Sequence, residues 1–364
     1  MDEPSRAHAT MLALARESRG LSQTSLAHVM TELAGETISQ GYVSKAEAGK
    51  LAVDGERLAL YARALGYPTG VLCVDAEMNG VGIGLVHHRK KASLGAKELR
   101  RIHAQLALAR LQVRGLVEPQ VRGEHRFEHI EVNDLNTPAE AAQILRKLWG
   151  LPAGPVTDLV GVVEDAGGMV LVRDLDAPDL DAVSQWDGQE APLFLLGAHA
   201  PADRFRFSFA HEIGHVVMHA EPGVTALQER QADEFASEFL MPAADIAEEL
   251  HGPLTLAGLL ALKQRWGVSM AALARTALTL SQISEWQYRN LVIEMSTLGY
   301  RKQEPGELHR EVPHVITDTA QRLVDQHGLN RAADQAGLLP QEYALLFPPD
   351  PDSAGGDAGS HDVD

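Results

Sequence analysis

The segment FAHEIGHVVMH, Phe209–His219, places two histidines and a glutamate at helical spacing. His211 and His215 are i and i+4, so on an α-helix they lie about 40° apart on one face and can reach one ion. Glu212 lies beside this pair, where its carboxylate can contact a water on that ion without binding the ion itself. In this HExxH arrangement zinc lowers the pKa of the water and the carboxylate takes its proton. The spacing therefore predicts a Zn²⁺ cofactor and a zinc metalloendopeptidase with Glu212 as the catalytic base.

A third protein ligand is expected on the next predicted helix, about Thr225–Leu240. A helical projection puts Glu229 inside the apolar stripe of that helix, within about 20° of Ala236. A carboxylate in such a position is costly unless something satisfies it, and a metal does so. Glu229 is therefore the predicted third ligand. Asp233 is the alternative ligand, or a partner that orients one histidine.

Other polar residues near the motif are expected either to support the metal ligands or to face solvent. His219 lies about 12 Å of helix rise beyond His211, so an intact helix excludes it from the same ion. Glu234 and Glu238 project away from the apolar stripe and are expected to be solvated. The sequence does not reveal an oxyanion donor, and the nearest candidates are Arg204, Arg206 and His219.

The whole-chain composition limits the classes of function. The chain has 364 residues, which favours two or three domains. Its formal net charge of -18 means that any contact with nucleic acid depends on a local basic patch. Cys73 is the one cysteine, no apolar run is long enough to span a bilayer, and MDEPSRAHAT lacks the features of a signal peptide. We therefore expect a cytoplasmic protein without a membrane partner.

Secondary-structure patterns around the motif predict an α+β fold that is mostly helical. Thr137, Pro138 and Gly150 mark the start and end of one helix. Three short β-rich runs, GGMVLVRD, DAVSQWD and APLFLLG, come next and predict a small antiparallel sheet. Beyond Pro242 the pattern is again helical.

The motif and the helix after it resemble the ImmA/IrrE family of zinc metallopeptidases. The resemblance covers roughly Asn136–Glu249 and is carried by RFRFSFAHEIGHVVMH and ERQADEFASEFLMP. The matched positions are His211, Glu212, His215, Glu229, Ala232, Asp233, Phe235, Ala236, Leu240, Met241 and Pro242. The resemblance implies a minimal zincin-like domain in which His211, His215 and Glu229 bind zinc and Glu212 is catalytic. It also implies helix-turn-helix repressors as substrates, cleaved in stress responses or in the control of mobile elements.

The amino-terminal region contains two helix patterns separated by a turn, ARESRGLSQTSLAHVM and SQGYVSKAEAGK. Ser22 is expected to cap one helix and Ser39 to begin the next. A small core is predicted from Leu14, Leu21, Leu26, Ala27, Val43 and Leu51. Over about Arg6–Cys73 the region resembles an XRE-type, lambda-repressor-like helix-turn-helix domain.

That second resemblance implies a set of DNA-contacting residues. Gln23 would contact a phosphate, and the recognition helix would turn Gln40, Tyr42, Ser44 and Lys45 towards the major groove. Arg16 and Glu47 match the family's buried ion pair and are assigned to structure.

The charge of this region limits how it binds DNA. Met1–Asp75 contains seven Lys or Arg and nine Asp or Glu, a net charge of -2. Binding is therefore expected to need a homodimer or the basic segment His87–Arg101, whose net charge is +5.

The predicted domain organisation follows from these patterns. It comprises a helix-turn-helix domain at 6–75, a basic amphipathic helical linker at 86–130, a metallopeptidase domain at 135–249, a helical carboxyl-terminal region at 250–348, and a disordered acidic tail at 349–364.

Two hypotheses for the function remain. In the first, the protein is a transcription regulator that binds operator DNA and cleaves a helix-turn-helix repressor, in trans or in cis. In the second, it is a DNA-binding regulator whose zincin-like domain senses a metal or ligand without hydrolysis. The intact Glu212 favours the enzyme, because a sensor needs no base between its ligands.

Overall fold

The computed structural model describes residues 6–75, 85–88, 95–134, 136–178, 180–220 and 225–348, with the backbone alone described for 85–88. The predicted acidic tail and the basic residues Arg89, Lys90 and Lys91 lie outside the described residues. Among the described helices, none combines the length and the apolar character needed to cross a membrane.

Helices dominate the described residues. Seven of them lie before the region of the histidine motif: α1 (Ala9–Ser18), α2 (Gln23–Ala34), α3 (Gln40–Glu47), α4 (Gly55–Leu65), α5 (Thr69–Leu72), α6 (Ala96–Leu116) and α7 (Pro119–Gly123). Five more lie in the motif region: α8 (Pro138–Leu148), α9 (Leu159–Asp165), α10 (Ala202–Met218), α11 (Ala226–Leu240) and α12 (Ala243–Ile246). The remaining six are α13 (Leu256–Trp266), α14 (Met270–Thr279), α15 (Glu285–Thr297), α16 (Val315–His327), α17 (Leu329–Gln335) and α18 (Pro340–Leu346).

The chain divides into two compact units. The first unit comprises Met1–Gly82, Ala107–Glu118 and His314–Asp364, and the second comprises Ile83–Leu106 and Pro119–Pro313. The helical region predicted at 250–348 is therefore divided, with α13, α14 and α15 in the second unit and the last three helices in the first. The amphipathic helix predicted after the basic segment is α6, and its residues fall in both units.

The first unit contains the five amino-terminal helices α1–α5. Ser22 caps α2 by accepting from the backbone N–H of Ser25, and Ser39 caps α3 in the same way from Tyr42. Both caps satisfy a backbone donor that a helix start otherwise leaves free. The core of this unit includes Met11, Leu12, Leu26, Ala27, Met30, Val43, Leu58, Tyr61 and Leu72, together with Ala107 and Leu108 of α6.

One residue of the predicted core lies outside it. Leu51 is 37% exposed, so its assignment to the core is wrong. It follows α3 in a turn, where the helical period that brings Val43 into the core no longer applies. Leu14 and Leu21 are partly buried against the core.

The sheet of the second unit has four strands: β1 (Leu85–His88), β2 (Met169–Arg173), β3 (Ala182–Trp186) and β4 (Leu193–Gly197). Their order is β1-β3-β4-β2, with β3 antiparallel to both β1 and β4. The α+β class is confirmed, but the prediction of a wholly antiparallel sheet is wrong because β2 runs parallel to β4. The chain leaves β2 and returns as β3 on the far side of β4. The strand sequences alone do not distinguish this path from a hairpin.

Three helices and β3 form the framework beneath the histidine motif. α10 packs against α11 and β3, and α11 packs in turn against α8. The predicted start of α8 is confirmed, because Thr137 and Glu140 form a reciprocal capping box with Pro138 in the first turn. Phe209 and Ile213 of α10 join Phe235 and Phe239 of α11 in one buried core.

Gly214 allows α10 and α11 to approach closely. An added Cβ at this position would lie 2.9 Å from Cδ1 of Phe235. Any larger residue therefore forces the two helices or the ring of Phe235 to move.

We expect Gly214→Ala to lower the free energy of unfolding by about 1–3 kcal/mol, because the overlap outweighs the helix propensity that alanine gains. The measurement is urea unfolding of the metal-free protein. Gly258→Ala is the matched control, since an added Cβ there meets Thr255 Oγ1 at an ordinary 3.5 Å. Equal stability of the two variants would contradict the assigned role of Gly214.

Candidate metal centre

α10 carries the histidine motif through the interior of the second unit. The helix begins after Pro201 and buries every residue from Ser208 to Met218. It ends where His219 adopts an extended backbone, with φ -112° and ψ 103°. His211, Glu212 and His215 are all fully buried.

α11 brings a carboxylate to the two imidazoles. A capping box between Thr225 and Gln228 fixes the start of this helix. Glu229 therefore stands in the first turn, where the helix dipole favours a negative charge. Its side chain is 23% exposed and lies against both histidines.

The three predicted ligands converge. Nε2 of His211 and Nε2 of His215 are 3.0 Å apart, Oε2 of Glu229 lies 3.7 Å from the first nitrogen, and Oε1 lies 3.3 Å from the second. Ligands about 2.0–2.1 Å from a tetrahedral zinc ion are about 3.3 Å from one another. One ligand atom from each residue lies within 4.8 Å of the others. The spacing thus suits a single tetrahedral ion.

Each histidine has a second polar partner that fixes its ring. Nδ1 of His211 lies 2.9 Å from Oδ1 of Asp233, and Nδ1 of His215 lies 2.9 Å from Nδ1 of His219. His219 in turn places Nε2 3.1 Å from Oε1 of Gln231. Because these contacts engage both Nδ1 atoms, both Nε2 atoms are directed to the point where the ligands converge. Asp233 and His219 therefore lie behind the cluster, next to the predicted ligands.

The electrostatics of the cluster favour a positive charge between the acids. Burial opposes protonation of His211, but its hydrogen bonds with Asp233 and Glu229 outweigh burial and raise the pKa of His211 to about 9. Burial favours the neutral form of Glu229, yet its contacts with His211 and His215 outweigh burial and lower its pKa to about 2. For His219, burial and the neighbouring His215 lower the pKa to about 4. A cation at the cluster is thus stabilised by ionised Glu229.

Glu212 lies beside the cluster and is held by a serine. Oγ of Ser184, in β3, donates to Oε2 of Glu212 over 2.7 Å. Oε1 of Glu212 is buried and has no hydrogen-bond partner among the described residues. Burial raises the pKa of Glu212, against the effects of His215, His211 and the Ser184 hydrogen bond. The free oxygen is therefore a buried acceptor next to the ligands.

Ser184 was not identified from the sequence. The available signal is the run AVSQW, in which alternation places Ser184 on the same face as Ala182 and Trp186. A serine on the core-facing side of a buried strand needs a partner, and that requirement is the indication of its role.

The donor set fits zinc. Two imidazole nitrogens and one carboxylate are a ligand set found in catalytic zinc sites, where a fourth position takes water or substrate. Oε1 of Glu229 is buried and makes no hydrogen bond of good geometry despite its distance of 3.3 Å from Nε2 of His215. An ion between the three residues would satisfy this oxygen.

Several neighbouring residues have other partners. Glu238 is buried rather than solvated, since its carboxylate accepts from Nε2 of Gln143 and the backbone N–H of Ala243. The prediction for Glu238 is therefore wrong, because α8 and the residues after α11 cover that side of the helix. The guanidinium of Arg204 pairs with Asp181, and that of Arg206 pairs with Glu311. These partners engage both cations away from the ligand cluster.

The residues predicted to contact DNA lie on or beside α3. Nε2 of Gln40 donates to Oε1 of Gln23 over 2.7 Å, and Nε2 of Gln23 donates to Oε2 of Glu47 over 2.9 Å. The predicted ion pair is present, with Nε and Nη2 of Arg16 donating to the two carboxylate oxygens of Glu47 at 2.6 and 2.8 Å. This pair fixes the network from which Gln40 extends to the surface.

The other three predicted contacts differ in exposure. Lys45 is exposed, Ser44 is half-buried, and the half-buried ring of Tyr42 lies against the guanidinium of Arg57, 5.6 Å from its centroid. Gln40 and Lys45 are thus the two exposed members of the predicted set.

Comparison with protein-family models finds two matches. Residues 12–72 match a helix-turn-helix family, and residues 163–278 match a peptidase family described as the IrrE N-terminal-like domain. The second match begins in α9 and reaches into α14, so it contains all the clustered residues. A search of curated proteins finds no match. The two family models thus match separate parts of the chain, in agreement with the resemblance to an XRE-type helix-turn-helix domain joined to an ImmA/IrrE-type domain.

Proposed function

We propose that this protein is a transcription regulator in which a DNA-binding domain is joined to a zinc-dependent endopeptidase. The observation that carries the proposal is the convergence of His211, His215 and Glu229 beside Glu212. The family match at residues 163–278 supports the peptidase assignment. The proposed location is the cytoplasm, with the DNA that the protein binds.

The side chains of the cluster have separate roles in the proposed reaction. His211, His215 and Glu229 would hold the ion through Nε2, Nε2 and the carboxylate, while Asp233 and His219 keep the two rings oriented. A bound zinc ion lowers the pKa of a water and polarises a substrate carbonyl.

Glu212 acts as the proton acceptor. Because Ser184 engages Oε2, the carboxylate presents Oε1 for the proton of the attacking water. The same oxygen then delivers the proton to the leaving amine. Burial of Glu212 excludes bulk water and keeps this transfer local.

The DNA-binding part of the proposal rests on α3 as the recognition helix. Gln40 has the amide that can pair with an adenine edge, and Lys45 has the charge that can neutralise a phosphate or read a guanine. Gln23 stands at the start of α2, where it can contact the DNA backbone while it supports Gln40. Because the charge of Met1–Asp75 is close to neutral, DNA binding would need a homodimer or the basic segment His87–Arg101.

The proposed substrate is a helix-turn-helix repressor, cleaved in trans or in cis. The family match and the presence of such a domain in the same chain support this substrate class. The alternative, a sensor that binds metal without hydrolysis, gives no role to the buried pair of Glu212 and Ser184.

Replacing Glu212 by Gln is expected to leave about one zinc per chain and to slow cleavage by about 10²–10⁴-fold, because the base is lost and the ligands remain. The measurement combines zinc analysis with incubation of the zinc-loaded protein and candidate helix-turn-helix repressors, followed by detection of a discrete fragment. Glu234→Gln, at an exposed position of α11, is the control. Cleavage by the Glu212 variant at the native rate would refute the assigned base, and native regulation in cells by that variant would favour the sensor.

Replacing Asp233 by Asn is expected to weaken zinc binding by about 10–100-fold, because a neutral amide replaces the charged carboxylate that contacts Nδ1 of His211. The measurement is competition with a chelator of known affinity, again with Glu234→Gln as the control. Glu229→Gln should weaken binding more than the Asp233 change. The reverse order would make Asp233 the third ligand.

Replacing Gln40 by Ala is expected to cost about 1–3 kcal/mol in binding to a DNA site selected by the protein from random sequences. Replacing Lys45 by Ala should instead reduce the salt dependence of binding, if it contacts phosphate, by about one unit of slope. Arg63→Ala, exposed on α4, should leave sequence preference unchanged. Native affinity and preference in the Gln40 variant would exclude α3 as the reading helix.

A further inference from the structure

The first unit is assembled from segments that are far apart along the chain. Its amino-terminal helices α1–α5 share a core with Ala107 and Leu108 of α6. Its last part, His314–Phe347, contains α16, α17 and α18 and is called the carboxyl-terminal segment below. In sequence, Pro119–Pro313 of the second unit lies between these parts.

Arg19 connects the amino-terminal helices to the carboxyl-terminal segment. Its Nη1 and Nη2 donate to the two carboxylate oxygens of Glu342, each over 3.1 Å. The same guanidinium donates to the carbonyl oxygens of Leu65 and Gly66 and lies 4.1 Å from the ring centroid of Tyr67. Arg19 is thus held in place before it meets Glu342, so the ion pair needs little further ordering of its long side chain.

Two glycines allow the backbone of the carboxyl-terminal segment to pack tightly. Gly337, in the turn between α17 and α18, has a φ of +68°, and an added Cβ would lie 2.8 Å from Cγ2 of Val71 in α5. An added Cβ at Gly115 of α6 would overlap the carbonyl oxygen of Gln335. Gln335 also donates through Nε2 to the carbonyl oxygen of Gly115 over 2.8 Å. The turn therefore contacts α5 and α6 at the same time.

The same turn buries apolar side chains. Ala336 and Leu338 are each 1% exposed, and they flank the glycine that meets Val71. Tyr343 of α18 is buried and donates its hydroxyl to the carbonyl oxygen of Ala320 in α16. This bond holds α18, which carries Glu342, onto the rest of the carboxyl-terminal segment. The contact with α1–α5 thus combines an ion pair with close apolar packing.

We propose that the carboxyl-terminal segment is a non-covalent partner of the helix-turn-helix domain and retains that domain after the chain between them is cut. A break between Asp75 and α6 cuts the backbone that joins the amino-terminal helices to the rest of the chain. It leaves the Arg19–Glu342 and Val71–Gly337 contacts intact. A single cleavage in cis at that connection therefore does not free the DNA-binding helices. Release also requires loss of the carboxyl-terminal segment.

The experiment separates covalent from non-covalent attachment in the full chain. A recognition site for a specific protease, flanked by Gly and Ser, is inserted between Gly80 and Val81. After complete cleavage, verified on a denaturing gel, native size-exclusion chromatography is expected to elute the amino-terminal fragment together with the remainder. Elution of that fragment by itself would overturn the proposal.

Two further experiments identify the segment that retains the amino-terminal fragment. The same cleavage in a chain that ends at Pro313 should release the amino-terminal fragment. In the full chain, Arg19→Ala combined with Gly337→Val should speed dissociation of the cleaved amino-terminal fragment by about tenfold or more. Gly70→Ala is the matched control, because an added Cβ on α5 at that position meets nothing within 4 Å.

The shortened chain and the double variant together test the proposal, whether or not the shortened chain folds. Retention of the fragment without the carboxyl-terminal segment would assign the attachment to α6 instead and overturn the proposal. Should the shortened chain be insoluble, the full-length variants decide, and native dissociation in the Arg19 and Gly337 double variant would contradict the inference. None of these readouts depends on zinc or on peptidase activity, so they are independent of the proposed function.

Discussion

A carboxylate on one helix must reach two imidazoles on another, and the chemistry of the second unit depends on that approach. Glu229 meets His211 and His215 because α11 begins at a fixed capping box and packs closely on α10. Gly214 lies within the HExxH motif itself, so the residue that permits close packing is placed between the ligands in sequence. Packing and ligand geometry are therefore set by the same stretch of chain, and the acids in contact with the two rings favour a cation there.

Helical periodicity made most of the cluster predictable. Two histidines at i and i+4 share a face in any helix, and the projection of α11 placed Glu229 on the inward side without reference to the tertiary structure. The caps at Ser22, Ser39 and Thr137 were predictable for a similar reason, since each satisfies a backbone donor through local geometry. Such features depend on residues within one or two turns of each other.

The features that sequence analysis missed depend on residues distant in the chain. Ser184 meets Glu212 only because β3 packs beneath α10, and the parallel pairing of β2 with β4 depends on the path of the connection between β2 and β3. Glu238 is buried because Gln143 of α8 reaches its carboxylate. Likewise, nothing in the helix pattern of residues 250–348 indicates that its last three helices belong with the amino-terminal domain. Tertiary packing decides each of these positions.

Anomalous diffraction at the zinc edge, from crystals of the zinc-loaded protein, tests the metal site directly. We expect one ion in the second unit, bound by Nε2 of His211, Nε2 of His215 and the carboxylate of Glu229 at about 2.0–2.2 Å. Asp233 should remain on Nδ1 of His211, and Glu212 should not bind the ion. A zinc ion at another position, or one bound by the two histidines with the Glu229 side chain turned away, would refute the proposed site.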